Sequence, residues 1–112
     1  MIEEIVLKYL DSHLDVNVYL EKSPNENEKS YVFIEKTGSG IDDFINRATI
    51  AIQSYGATKY EAAKLNEQVK NIMNNITDLD SISKSKLNTD YEFTDTTKKL
   101  YRYQAIYDLV FY

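Results

Sequence analysis

The chain has 112 residues, a formal charge of −5 from 18 acidic and 13 basic side chains, and no cysteine. That length suits a single domain spanning residues 1–112, large enough to bury about two-thirds of its unfolded surface without metals or disulfides. The acidic balance argues against general nucleic-acid affinity, the missing cysteines exclude disulfides and thiolate cages, and no apolar run approaches the roughly 20 residues of a membrane-spanning helix.

The opening Met1-Ile2-Glu3-Glu4 is acidic where a secretory leader is basic, so an untargeted intracellular protein is expected. From Ile2 to Leu14 the residues Ile2, Ile5, Val6, Tyr9, Leu10 and His13 recur at spacings of three and four, which predicts an amphipathic helix. Glu3 and Glu4 fall in its first turn, where the helix dipole favours negative charge. Val16 to Leu20 alternates and predicts a short strand; Glu21 to Ser30, polar and holding the one proline, predicts a solvated loop. Tyr31 to Thr37 alternates again and is expected to form an antiparallel hairpin with the first strand. Gly38-Ser39-Gly40 reads as a turn, and Phe44 to Tyr55 as a third, longer strand with Phe44, Ala48, Ile50 and Ile52 on one face.

Thr58 and Glu61 have capping-box spacing, and Ala62, Leu65, Val69, Ile72, Met73 and Ile76 then follow at helical intervals, predicting a second helix that ends near Ile76. Thr77 to Thr89 is polar with isolated apolar residues and reads as a connection turning into strand. Tyr91 to Phe93 then reads as a fourth strand, Thr94 to Thr97 as a turn and Leu100 to Tyr112 as a fifth strand. In the fifth, Tyr101, Tyr103, Ala105, Tyr107, Leu109 and Phe111 share one face, over a length of about 40 Å. The order α-β-β-β-α-β-β predicts an α+β domain: an antiparallel sheet of four to five strands with two helices on one face and the other face left open.

The residues that carry chemistry are sparse. His13 stands alone, so no multi-histidine metal site exists, and its place at a helix end reads as structural. The paired acids Asp42-Asp43 and Asp78-x-Asp80 lack the spaced oxygen ligands of a cation loop. Gly38-Ser39-Gly40 has no phosphate-cradle partner residues, and no serine sits in a nucleophile motif. No catalytic residue, metal or cofactor is therefore expected. Lys98, Lys99 and Arg102 form the one basic cluster and, beside Tyr101 and Tyr103, read as a sheet edge guarded by lysine rather than a single-strand nucleic-acid platform; with Tyr103 and Tyr107 they are the residues expected at a protein contact.

Several segments taken together resemble the tail-terminator, or tail-completion, proteins of long-tailed bacteriophages and Gram-positive prophages. They are the short first helix, Tyr31 to Thr37 followed by Gly38-Ser39-Gly40, and Ile45 to Tyr55. The helix after Tyr60-Glu61-Ala62-Ala63, Asp90 to Asp95 and Tyr101 to Leu109 complete the likeness, which covers nearly the whole chain in order. The resemblance implies an antiparallel sheet with helices on one side and a structural, non-enzymatic activity. That activity is assembly as a ring, usually of six subunits, on the head-proximal end of the tail tube, where it stops tube polymerisation and offers a surface for joining to the head. The implied partners are further copies of the chain, the tail tube protein and head-tail connector proteins. The implied location is the virion's tail-head junction, reached from the host cytoplasm during assembly. A head-tail connector of the phage neck, and a small mobile-element domain that binds or inhibits one host protein, are the competing readings. Ring closure requires a head-to-tail contact, for which two sets of residues are expected. One pairs the Glu21 to Ser30 loop with Lys98, Lys99 and Arg102; the other places the Tyr101 to Tyr112 strand or the segment after Lys36 at the contact.

Overall fold

The computed structural model describes residues 1–21, 23–42 and 45–112. Asp43 and Phe44, read above into a paired-acid loop and the third strand, lie outside the described residues. The elements run α1 (Ile2–Asp11), β1 (Asn17–Tyr19), β2 (Tyr31–Asp42), β3 (Ile45–Gly56), α2 (Lys59–Met73), a 3-10 turn (Ile76–Asp78), β4 (Ile82–Glu92) and β5 (Tyr101–Phe111). This is the expected α-β-β-β-α-β-β order, with a five-stranded sheet ordered β1-β2-β3-β5-β4.

The helices form where the sequence supplies both an apolar stripe and an end signal. At the start of α2 the Thr58 side chain accepts from the Glu61 N–H at 3.1 Å, and Glu61 Oε2 accepts from the Ala57 N–H at 3.1 Å. The capping box thus operates with its return bond one residue earlier than the ideal. The periodic stripe runs on past the helix: α2 closes at Met73 and Ile76 enters the core from the 3-10 turn. In α1, Ile2, Val6 and Leu10 are the buried residues, and the helix stops at Asp11 rather than Leu14.

One apolar cluster joins the helices to one face of the sheet. Ile2, Val6, Leu10, Leu65, Val69, Met73 and Ile76 meet Val18, Val32, Ile34, Ile50, Ile52, Ile82, Ala105, Tyr107 and Leu109. Each large aliphatic side chain fully buried here stabilises the fold by about 1.5–3 kcal/mol. Alternation does the sorting, because residues two apart on a strand share a face. Register therefore places Val32 beside Ser54, Ile34 beside Ile52, and Ile52 beside Ala105 under the helices.

Three expectations are corrected. β1 does not form a hairpin with β2 but pairs with it in parallel, Asn17 with Tyr31 through Tyr19 with Phe33, so the sheet is mixed rather than wholly antiparallel. A strand of three residues has too little ladder to impose an orientation, and the Leu20 to Ser30 connection is long enough to return the chain to the same end. Gly38-Ser39-Gly40 is not a turn: it continues β2, paired with Thr49, Ala48 and Arg47, after a bulge between Lys36 and Gly38. The fourth strand starts at Ile82 rather than Tyr91. It is an edge strand paired only with β5, bulged between Ile82 and Lys84 and again between Leu87 and Thr89. Those bulges and its polar residues on both faces erase the alternation by which a strand is read.

Candidate functional site: the helix-free face of the sheet

The same alternation that buries one set of residues under the helices projects the other set onto the opposite face. This face divides into two halves of different character.

Near the β5 start the face is sealed by its own side chains. Tyr31 and Tyr55, opposed in register, stack at 4.4 Å with planes 9° apart, and Tyr19 meets Tyr31 edge-on at 5.8 Å. Arg102 donates from Nη1 to the Tyr55 hydroxyl at 3.2 Å and from Nε to the Phe93 carbonyl at 2.6 Å, and its guanidinium lies 4.3 Å from the Phe93 ring centroid. The Tyr55 hydroxyl donates to Gln53 Oε1, Gln53 Nε2 to Gln104 Oε1, each at 2.9 Å, and Gln104 Nε2 to the Tyr91 hydroxyl. This unbroken donor chain meets the polar needs of Gln53 and Gln104, which are buried. Burial pushes the Tyr31 phenol up to about 12, with Tyr55 adding to the effect.

Two connections flank this half, through residues on either side of Lys22 in the first and through Asp95 to Lys99 in the second. Glu28 binds the 21–30 loop to β1: its carboxylate accepts from Asn17 Nδ2 at 2.7 Å, Tyr19 hydroxyl at 2.6 Å and Ser23 hydroxyl at 2.5 Å. The Ser23 and Tyr19 hydrogen bonds hold that carboxyl below its ordinary value. In the β4–β5 connection, Asp95 Oδ1 accepts from the Thr97 and Lys98 N–H groups, and Lys99 takes φ 54, in the left-handed region.

The far half of the face is bare. Gly38 and Gly40 occupy two successive positions on it, and a Cβ built at either would meet nothing within 4 Å. Neither glycine has a positive φ. The missing side chains leave a shallow groove of about 510 Å³ across β2, β3, β5 and β4, lined by Gly38, Gly40, Arg47, Thr49, Lys84, Lys86, Asp108 and Val110 among others. Asp108 is already engaged, accepting from Thr49 Oγ1 at 2.9 Å and Asn88 Nδ2 at 3.0 Å. Arg47, Lys84 and Lys86 are exposed, and among the described residues none of them forms an ion pair.

The five residues singled out from the sequence do not form one surface. Lys98 and Lys99 are exposed on the hairpin turn. Arg102 is committed to Phe93 and Tyr55 instead of joining them. Tyr103 is half-buried on the helix-side face, opposite Ser54 and Glu92. Tyr107 is 2% exposed and sits in the core, where burial pushes its phenol up to about 12, so its side chain presents no surface to a neighbour. His13 is exposed at the end of α1, its Nδ1 2.7 Å from the Tyr9 carbonyl oxygen. Among the described residues no group of three His, Asp or Glu side chains is placed to hold a metal ion.

The groove cations were not singled out from the sequence, because Lys84 and Lys86 lie in the segment read as a connection. The glycine pair was the available signal: glycine inside an alternating run marks a place where another chain approaches closely. No family model matches this chain, and no curated protein matches it.

Proposed function

We propose that this chain is a structural protein of phage tail assembly that forms a ring on the head-proximal end of the tail tube, stops tube polymerisation and presents the surface that joins the head. The observation that carries the reading is the pair of unlike sheet edges. β4 is paired only through β5, and β2 beyond Phe33 has no second neighbour among the described residues. A contact that uses different edges on the two partners is head-to-tail, the kind that builds rings when its rotation closes. The resemblance of the sequence to tail-terminator proteins supports the same reading.

The experiment joins light scattering at high protein concentration with electron microscopy of purified tail tubes mixed with the protein. Discrete rings and tubes closed at one end are expected. A protein that stays monomeric and leaves tube length and ends unchanged refutes the proposal. The contact is mapped by Lys98→Glu with Lys99→Glu, exposed changes that leave the core alone, and not by replacing the buried Tyr107.

A further inference from the structure

We infer that the bare groove on the helix-free face is a docking site for an acidic, extended segment of a partner protein. Three observations converge on it. First, the hollow is produced by sequence and not by loose packing. Gly38 and Gly40 put no side chain on the face, while Arg47 and Thr49 stand opposite them on β3. Secondly, neither glycine answers a demand within the domain, since their backbone angles suit any residue and nothing crowds the missing Cβ. Open peptide surface of this kind admits the close approach of another backbone.

Thirdly, the charges set the chemistry of the occupant. Arg47 on β3 and Lys84 with Lys86 on β4 flank the β5 stretch of the groove, where Asp108, the one carboxylate among the described lining residues, is held by Thr49 and Asn88. From β2 to β4 the groove crosses three strand spacings, about 14 Å, which an extended chain of four or five residues spans. Carboxylates two residues apart on such a segment lie on one side of it and reach Arg47 on β3 and the lysine pair on β4, two strand spacings or about 10 Å apart. A long polyanion such as nucleic acid fits less well, because the chain surrounding the groove carries a net charge of −5. The aromatic half of the face is occupied by its own network, which confines docking to this end. The inference does not depend on ring formation; it assigns a site for a second protein to either assembly state.

The test uses a dye-labelled hexaglutamate peptide and fluorescence anisotropy, with a hexalysine peptide and a short single-stranded oligonucleotide as comparison probes. Hexaglutamate is expected to bind at low ionic strength, with binding falling as salt rises, and hexalysine is expected not to bind. Lys84→Glu with Lys86→Glu should weaken hexaglutamate at least tenfold. Gly40→Val, which adds a branched side chain where a Cβ meets nothing within 4 Å, should obstruct the groove and weaken binding by a similar factor, while circular dichroism and thermal unfolding show both variants folded. Absence of hexaglutamate binding, or binding that survives both variants, overturns the assignment. An oligonucleotide that binds more tightly than hexaglutamate overturns it in favour of a polyanion site.

Discussion

Replacing Gly56 by alanine tests how α2 is seated on the sheet. A Cβ at this position would lie 2.4 Å from the Ala62 nitrogen, 2.9 Å from the Glu61 carbonyl carbon and 3.0 Å from the Ala62 Cα. All three are backbone atoms, so no side chain can swing aside. Ordinary contact is about 3.5–4 Å, and the first turn of α2 must therefore retreat by more than about 1 Å. Ala62 is fully buried and Thr58 caps this same turn, so the retreat both opens a void and stretches the cap. Overpacking of this type costs about 1–3 kcal/mol. At about 4 °C per kcal/mol for a domain near this size, the midpoint of thermal unfolding should fall by about 4–12 °C. Gly40→Ala is the matched control, since its Cβ meets nothing within 4 Å. Restricting the unfolded chain there should leave stability unchanged or raise it by up to about 1 kcal/mol. Thermal and denaturant unfolding followed by circular dichroism measures both. Equal stabilities for the two alanine variants would refute the reasoning.

Two further outcomes follow from Tyr107. Its hydroxyl is buried without a hydrogen-bond partner among the described residues, so Tyr107→Phe should be neutral or stabilising by up to about 1 kcal/mol in denaturant unfolding; a loss larger than that would show that the hydroxyl is satisfied. The second concerns alkaline pH. Burial pushes the phenols of Tyr31 and Tyr107 up to about 12 in the folded chain. Tyrosine in an unfolded chain ionises near about 10, so the stabilisation is complete below that pH and is lost as pH rises through the folded value. Each phenol contributes a slope of about 1.4 kcal/mol per pH unit across that window. Tyr107→Phe should remove one such share, and identical alkaline profiles for the variant and the parent would contradict the burial argument.

Much of the fold was legible because local signals and tertiary demands agree. The Thr58 cap, the apolar stripe of α2, the alternation of β3 and the long aromatic face of β5 each name an element and the side it buries. The candidate site was legible only in part. Gly38 and Gly40 drew notice, but as a turn, because glycine pairs between strands usually are turns. Lys84 and Lys86 carried no signal, since an edge strand that is polar on both faces has the same composition as a loop. Arg102 looked like a partner for Lys98 and Lys99, although strand alternation alone turns it toward the helix-free face and away from the hairpin turn.

What the sequence determined by itself is the list of elements and the buried side of most of them, because helix and strand periods are properties of consecutive residues. Only the tertiary structure decided the rest. The parallel pairing of β1 rests on the path of the Leu20 to Ser30 connection, which sets β1 beside β2 in the same direction, and no residue of either strand encodes it. The passage of Gly38-Ser39-Gly40 through β2 depends on the ladder with Thr49, Ala48 and Arg47, which overrides the turn preference of the glycines. The division of the tyrosines came last: Tyr107 goes under α2, Tyr55 and Tyr31 into the stack on the other face, and Tyr103 halfway between core and solvent. Side-chain chemistry is the same in all four, and the layers packed above each strand position assign them their roles.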